Sequence, residues 1–489
     1  MASAPETERD RRGDLSISWY DVAMVALVDG PQRAACLDWL AGQRRQNGAW
    51  GAEGTVSWHD TYVATYAAAV AFHAAGHVTI AEEAVNALSG IRTDTPGCET
   101  LTFGGLVDTL DRIATFAGRQ TPHHPDQVTR LIHEERAKWE KMCAWEFRYD
   151  PELSIAGYCA ERLFGSDHLD LVRVVESFQT GNGSISNSPG ASAGVLLEAR
   201  RRGTRIAPLR LRRLTDYIAT RRPETIGYLD HVPHFGTAWT VMFAAEAGLI
   251  DAVMAARTRS MLKELADSYG LLCPVGPATI PGDPDTSACA LTAAAATGQP
   301  VFGLPAAELL YDEDKGCYRT YFFERDGSVS TNIHMAGLLG LLGEHDRLGP
   351  VLNWLLDRLT DGAGYRCKWH SSPVYALGET ARVTAKLDHP TARRLGEVAR
   401  ARLRQLQNAD GGWGARQSTV EETGYAVLGL AADPHETDHA LLKRAAGFLS
   451  GAEPDYRPLW IGKSLYCVNP LVPVLQRTAL ARIEQLALL

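Results

Sequence analysis

Between Pro281 and Ala288 the chain reads Pro-Gly-Asp-Pro-Asp-Thr-Ser-Ala, placing Asp283 and Asp285 one residue apart beside two small hydroxyl side chains and ahead of an Ala-rich segment, Cys289 to Thr297. Two neighbouring carboxyls resist ionising together, so one stays protonated at neutral pH. A carboxylic acid held in that form can protonate something as weakly basic as a carbon–carbon double bond. The same run also suits a turn into a helix, with Asp285 or Thr286 as the N-cap. The pair by itself does not choose between the two.

A recurring pattern elsewhere bears on that choice. Gln407-Asn408-Ala409-Asp410-Gly411-Gly412-Trp413-Gly414 is echoed by Gln46-Asn47-Gly48-Ala49-Trp50-Gly51, and in degraded form by Gln179-Thr180-Gly181-Asn182-Gly183-Ser184-Ile185, with an aliphatic residue in the place of Trp. Each copy lies between helical segments and reads as a turn that stacks Gln and Trp on the next helix pair, tying a helical barrel together. Their role is structural.

With these repeats and the acid motif in view, the chain resembles the class II, proton-initiated terpene cyclases, which include copalyl, halimadienyl and drimenyl diphosphate synthases. The likeness runs from Trp19-Tyr20-Asp21-Val22 to Leu459-Trp460-Ile461-Gly462-Lys463, nearly the whole length. Asn182-Gly183-Ser184-Ile185, Ser330-Thr331-Asn332-Ile333-His334 and Lys368-Trp369-His370-Ser371-Ser372-Pro373 fall between them in the family's order. The bacterial halimadienyl synthases are similar in having Thr where plant copalyl enzymes carry a third Asp, the position of Thr286 here.

The resemblance implies an isomerase that cyclises a prenyl diphosphate without releasing its diphosphate. Asp285 would be the proton donor, Asp283 the partner that holds the acidic proton, and Thr286 a hydrogen-bonding neighbour without charge. Protonation of the terminal alkene of geranylgeranyl diphosphate would start closure to a bicyclic halimadienyl- or copalyl-type diphosphate; farnesyl diphosphate giving a drimenyl product is the alternative. The growing cation needs a water-excluded pocket lined by π faces, for which Phe235, Trp239, Trp369 and Tyr375 are candidates. Lys138, Lys141, Lys368 and Lys463 are candidates to hold the diphosphate, Lys463 foremost because its surroundings are apolar.

In this family an acidic patch after the first Trp-Gly turn binds magnesium. Here it offers Glu53 and Asp60, with His59 where a relative's pattern has a further carboxylate, and imidazole is a poor ligand for so hard a cation. Termination needs a base or a water. His334 is the candidate base, His370 a further one, and Asn332 could orient Asp285 or a water.

The elements that must position these groups read as helices. Tyr62 to Gly76, Thr237 to Gly248, His334 to Gly343 and Thr423 to Ala432 are Ala-rich or apolar segments of helical style, and period-two strand patterns are short and rare. The expectation is an all-α protein of two α/α-barrel domains with the active site between them. The family's arrangement places residues 15–30 as the first helix of the β domain, 31–249 as an inserted γ domain, and 250–489 as the remainder of β. The Arg-dense stretch from Arg201 to Pro223 reads as a solvated helix pair.

Composition narrows the class. The chain has 489 residues and a net charge of −9, without the clustered cations that nucleic acid demands. The start, Met1 to Asp14, is polar, and no run of about 18 apolar residues occurs, so a cytoplasmic enzyme with no transmembrane segment is expected. Nine scattered cysteines without a Cys-x-x-Cys pair imply reduced thiols and no zinc site. An ionisation-dependent class I synthase would need an Asp-rich helix, and Asp312-Glu313-Asp314-Lys315 lacks the further Asp. A zinc prenyltransferase, a squalene-type cyclase and a noncatalytic repeat scaffold fit less well, the last because the Asp285 motif is retained.

Overall fold

The computed structural model describes residues 14–52, 57–93, 102–148, 157–166, 170–267, 270–276, 280–361 and 365–488. Among them are nineteen α-helices. In chain order they are α1 (Trp19–Leu27), α2 (Gln32–Gly42), α3 (Trp58–Ala74), α4 (Val78–Leu88), α5 (Phe103–Phe116), α6 (Asp126–Arg148), α7 (Leu171–Phe178), α8 (Pro189–Arg202), α9 (Pro208–Ala219) and α10 (Pro233–Ala245). The remainder are α11 (Ala252–Asp267), α12 (Pro284–Ala296), α13 (Val329–Leu342), α14 (His345–Thr360), α15 (Pro373–Thr384), α16 (Pro390–Gln405), α17 (Val420–Ala431), α18 (Glu436–Gly451) and α19 (Leu471–Gln485). The only strands described are two antiparallel pairs of two residues each, β1 (Tyr311–Asp312) with β2 (Cys317–Tyr318) and β3 (Trp460–Ile461) with β4 (Leu465–Tyr466).

Two apolar cores organise these helices. One gathers α1 to α5 around Trp50, Tyr62, Tyr66 and Leu106. The larger is built mainly from α10 to α19, around Trp239, Leu291, Leu339, Tyr375 and Trp413. Helix α1 packs against α2, α3 and α8, whereas α10 packs against α11, α12 and α19.

The repeated turns share one hydrogen-bond scheme. The indoles of Trp50 and Trp413, both fully buried, donate to the carbonyls of Leu40 and Leu403, ten residues upstream in each case, at 2.7 and 2.8 Å. Their backbone N–H groups donate to Thr65 and Thr423 Oγ1 on the following helix. In the degraded copy Ile185 keeps the backbone half of this scheme, its N–H reaching Ser192 Oγ at 2.8 Å. The amides of Gln179 and Gln407 bridge their own turns to α9 and α18, through the carbonyls of Arg210 and Leu441. Gly183 and Gly411 have φ of 95° and 91°, and a Cβ at either would lie 2.6 Å from the carbonyl oxygen of Arg213 or Arg444. Only glycine suits both the dihedral and the close approach.

Candidate active site

Three helices that carry the acid and its partners have well-defined ends. Asp283 has extended backbone and caps α12, its Oδ1 accepting from Thr286 N at 2.7 Å, with Pro284 at the first helical position. The cap is thus Asp283, not Asp285 or Thr286 as the turn reading had it, because it is the residue before Pro284 that is held extended. Gly282 lets this start lie against the preceding segment, since a Cβ there would meet the Leu271 carbonyl at 2.2 Å. Ser287 Oγ fixes the same turn, accepting from Leu272 N and donating to the Asp283 carbonyl, each at 2.7 Å. Helix α15 starts likewise, with Ser372 as cap before Pro373. Helix α13 ends at Gly343 in the left-handed region.

This scaffold turns Asp285 into a pocket of donors. Ser330 Oγ donates to Asp285 Oδ2 at 2.8 Å, Thr331 Oγ1 donates to it at 3.3 Å, and His334 Nδ1 pairs with Oδ1. All four side chains are buried. On its other nitrogen His334 meets Glu379 Oε2 at 3.1 Å, and Arg382 donates to both Glu379 oxygens at 2.8 and 2.6 Å. Arg382 then reaches Glu246 on the following side at 2.7 Å, and Lys386 joins Glu246 at the surface. One chain of alternating charge therefore runs from the acid to solvent.

The electrostatics follow from burial against pairing. Burial, reinforced by the neighbouring Asp285 carboxyl, pushes Asp283 up to about 8 despite its bonds from Thr286, so the carboxyl pair keeps a proton at neutral pH. For Glu379, burial favours the neutral form, but Arg382 and the His334 hydrogen bond outweigh it and hold it at about 2. A charged Glu379 fixes the Nε2–H of His334 and turns Nδ1 toward Asp285. Burial opposes charge on His334, yet Cys289, Asp285 and the bonds they make raise it well above the usual histidine range.

Asp283, Asp285 and Thr286 share the wall of a cavity of about 70 Å³ with Phe235, Trp239 and Trp369. Phe235 stacks on Trp239 at 4.1 Å between ring centroids. Tyr375 stands behind this wall and accepts the Trp239 indole N–H at 3.1 Å. Trp460, Tyr321, Tyr158, Tyr228 and Tyr466 complete the aromatic lining. Trp460 was visible only as part of a motif, and the four tyrosines carried no signal, since they come from loops and short strands without periodicity.

The lysines divide. Lys463 is buried, 2.8 Å from both Glu161 Oε1 and Ser188 Oγ, with its ammonium 4.7 Å from the centre of the cavity-lining Tyr158 ring. Lys138 is buried beside Glu135 at 3.6 Å and over Phe323. Lys368 is buried beside Glu324 at 3.5 Å and donates to the Asp326 carbonyl. Each therefore lies next to a buried glutamate, while Lys141 is exposed.

The remaining polar candidates have other work. Asn332 accepts from Tyr318 N and donates to the carbonyls of Tyr318 and Ser328, all at 2.8 Å, which ties β2 to α13. Its amide is committed to backbone and not to Asp285. His370 accepts from Ser372 N at 3.1 Å, has Nε2 3.4 Å from Glu421, and stacks on Tyr375.

Of the candidate magnesium residues, Asp60 does not fit that ion. Asp60 is 3% exposed, and its two oxygens accept the amides of Ala52 and Leu465 at 3.0 and 2.9 Å, joining segments 405 residues apart. Magnesium needs several oxygen ligands and keeps water, which this enclosed carboxylate does not allow. His59 is packed between Trp58 and Phe103, and burial lowers it to about 4. Glu53 lies outside the described residues. Seven cysteines are described, all buried and none in a disulfide.

Glu379, Ser330 and Cys289 were missed as site residues. The usable signal for Glu379 was an ionisable pair three residues apart, Glu379 and Arg382, inside an otherwise uncharged helix.

No family model matches the chain. It is 26% identical over 499 residues to a type B diterpene cyclase of Mycobacterium tuberculosis, covering 96% of both chains. To an ent-copalyl diphosphate synthase of Streptomyces sp. (strain KO-3988) it is 33% identical over 251 residues, 49% of this chain and 47% of that one. The fold is that of the solved ent-copalyl diphosphate synthase from Streptomyces platensis, with a TM-score of 0.75 over 96% of both chains at 22% identity. Among the described residues, no helix is long and apolar enough to cross a membrane.

Proposed function

We propose that the chain is a class II terpene cyclase that cyclises geranylgeranyl diphosphate to a bicyclic diphosphate, with Asp285 protonating the terminal alkene. The observation that carries this reading is the buried Asp285 at the cavity wall, surrounded by the donors Ser330, Thr331 and His334. Those donors favour the carboxylate that is left once the proton has gone. They are therefore stronger partners after transfer than before it, which is what lowers a barrier.

The aromatic faces around Trp239 and Phe235 then stabilise the cation as successive double bonds close the rings. The cavity is narrow, so a prenyl chain enters as lining side chains turn aside, and its fit excludes water from the cation. We place the diphosphate toward the Tyr158 end of the cavity, near Lys463, where it need only be held and not ionised. Magnesium has no resident site at Asp60 in this reading. With both nitrogens of His334 engaged, its role is to orient Asp285.

The direct test is incubation with geranylgeranyl diphosphate and detection of an isomeric bicyclic diphosphate by mass spectrometry, before and after phosphatase. Asp285→Asn should fold normally and lose at least about 100-fold in turnover, as expected for loss of a general acid. Near-normal turnover in that variant overturns the proposal.

A further inference from the structure

The groups around the acid are also a set of metal ligands. Asp285, Cys289 and His334 each offer one ligand atom, these atoms lie within 4.8 Å of one another, and all three residues are buried. Asp285 and Cys289 are four residues apart on α12, hence on one face of the helix. His334 comes from α13, which packs on α12.

We infer that this triad is a binding site for a thiophilic divalent cation such as zinc, and that occupation of the site switches off the acid. The donor set is one thiolate, one imidazole nitrogen and one carboxylate oxygen, which suits zinc, cobalt(II) or cadmium and not magnesium. A second tier of contacts resembles what metal ligands need. Glu379 accepts from the far nitrogen of His334, leaving Nδ1 as the ligand atom, and Ser330 donates to Asp285 Oδ2. Asp285 also lines the aromatic cavity, from which water can supply a fourth ligand. Ligand atoms about 2.0–2.3 Å from a tetrahedral zinc require the Asp285–His334 contact to open, so metal and hydrogen bond compete for the same space. Binding releases to solvent the thiol proton of Cys289 and the Nδ1 proton that His334 otherwise donates to Asp285, and takes the Asp285 oxygen out of proton transfer; no electron is exchanged.

The regulatory half of this inference rests on the proposed cyclase function, whereas the binding half does not. The test therefore has two arms on the full chain, washed with chelator. In the first, cobalt(II) is added and the near-ultraviolet thiolate-to-cobalt band is followed. One cobalt per chain and a band lost in Cys289→Ala are expected. No band, or a band that persists in the variant, overturns the site.

In the second arm, turnover of geranylgeranyl diphosphate is measured against zinc and against equal magnesium. Zinc should inhibit and chelator should reverse it. Each of Cys289→Ala and Cys289→Ser, compared with its own zinc-free rate, should need more than about tenfold higher zinc, the scale on which even outer-shell losses weaken metal sites. Equal zinc sensitivity in the variants overturns the switch. A cobalt band in a protein that cyclises no prenyl diphosphate would leave the metal site standing and sink the proposed function instead.

Discussion

Asp283 caps the helix that carries Asp285, so the carboxyl that shares its proton is also the group that fixes where Asp285 points. The capping bonds from Thr286 favour ionised Asp283, but burial and the Asp285 charge work against them and prevail. Cap and proton store are thus one residue. Removing Asp283 disturbs position and protonation together, which is why its substitution is a poor test of either.

pH separates them. In chelator-washed protein, turnover should hold at neutral pH and fall as pH rises through about 8, where the pair loses its shared proton. The sign follows from the shift: the folded state holds this proton more tightly than an unfolded chain with the ordinary value of 3.8, so folding stability also declines with rising pH across that interval and levels off above it. The kcat profile between pH 6 and pH 10 is the measurement. A rate that climbs through pH 8 would contradict the assignment of the pair as the acid.

Glu379 offers a cleaner view of His334. Replacing it with Gln keeps a hydrogen-bond acceptor but removes the charge that fixes the imidazole N–H, and leaves Arg382 with Glu246 alone. Glu379→Gln should lower kcat by roughly 100-fold, the scale of a small misplacement of a reacting group, with KM little changed. Its alkaline limb should move as well, which a purely structural defect would not produce. The pH profile and a melting curve taken side by side decide between the two.

How much of this was legible beforehand depends on whether local residue types determined the outcome. The helical class followed from Ala-rich segments and from turns whose Gln, Gly and Trp positions fix their own hydrogen bonds, as at Trp50 and Trp413. The acid motif was legible because Asp283, Pro284 and Asp285 lie together in sequence. What links it to Glu379 and Cys289 was not, since those contacts depend on how α12, α13 and α15 are rotated against one another, and a helix such as α13, buried nearly all round with its polar residues clustered in consecutive positions, gives no face to read. That α10 joins α12 and α19 while α1 joins α3 and α8 is likewise a tertiary result. Asp60 had the right chemistry for a metal, but nothing local revealed that Leu465 would come to meet it.

Asp60 accordingly makes a prediction about stability. Asp60→Ala leaves the buried amides of Ala52 and Leu465 without their acceptor, at a cost of about 1–3 kcal/mol each. The melting temperature should drop by the same amount with and without magnesium. Any magnesium concentration needed for half-maximal turnover should stay where it is in the unsubstituted protein. A variant with an unchanged melting temperature but a raised magnesium requirement would restore Asp60 as a ligand.

Substrate length is the last question the site poses. A C20 and a C15 prenyl diphosphate present the same terminal isoprene to Asp285, so the acid does not distinguish them. Discrimination has to arise at the far end, where the extra isoprene unit lies between the ring-forming carbons and the diphosphate. Burying each additional methylene-sized group is worth about 0.8 kcal/mol, and five carbons suffice for a clear preference if the Tyr158, Tyr228 and Tyr466 end of the cavity accommodates them. The function proposed above takes the longer chain as the substrate. With equal concentrations of geranylgeranyl and farnesyl diphosphate in one reaction, bicyclic C20 diphosphate should therefore dominate the products. A pool dominated by bicyclic C15 diphosphate would show that the tyrosine end closes on the shorter chain, and would leave the role of Asp285 intact.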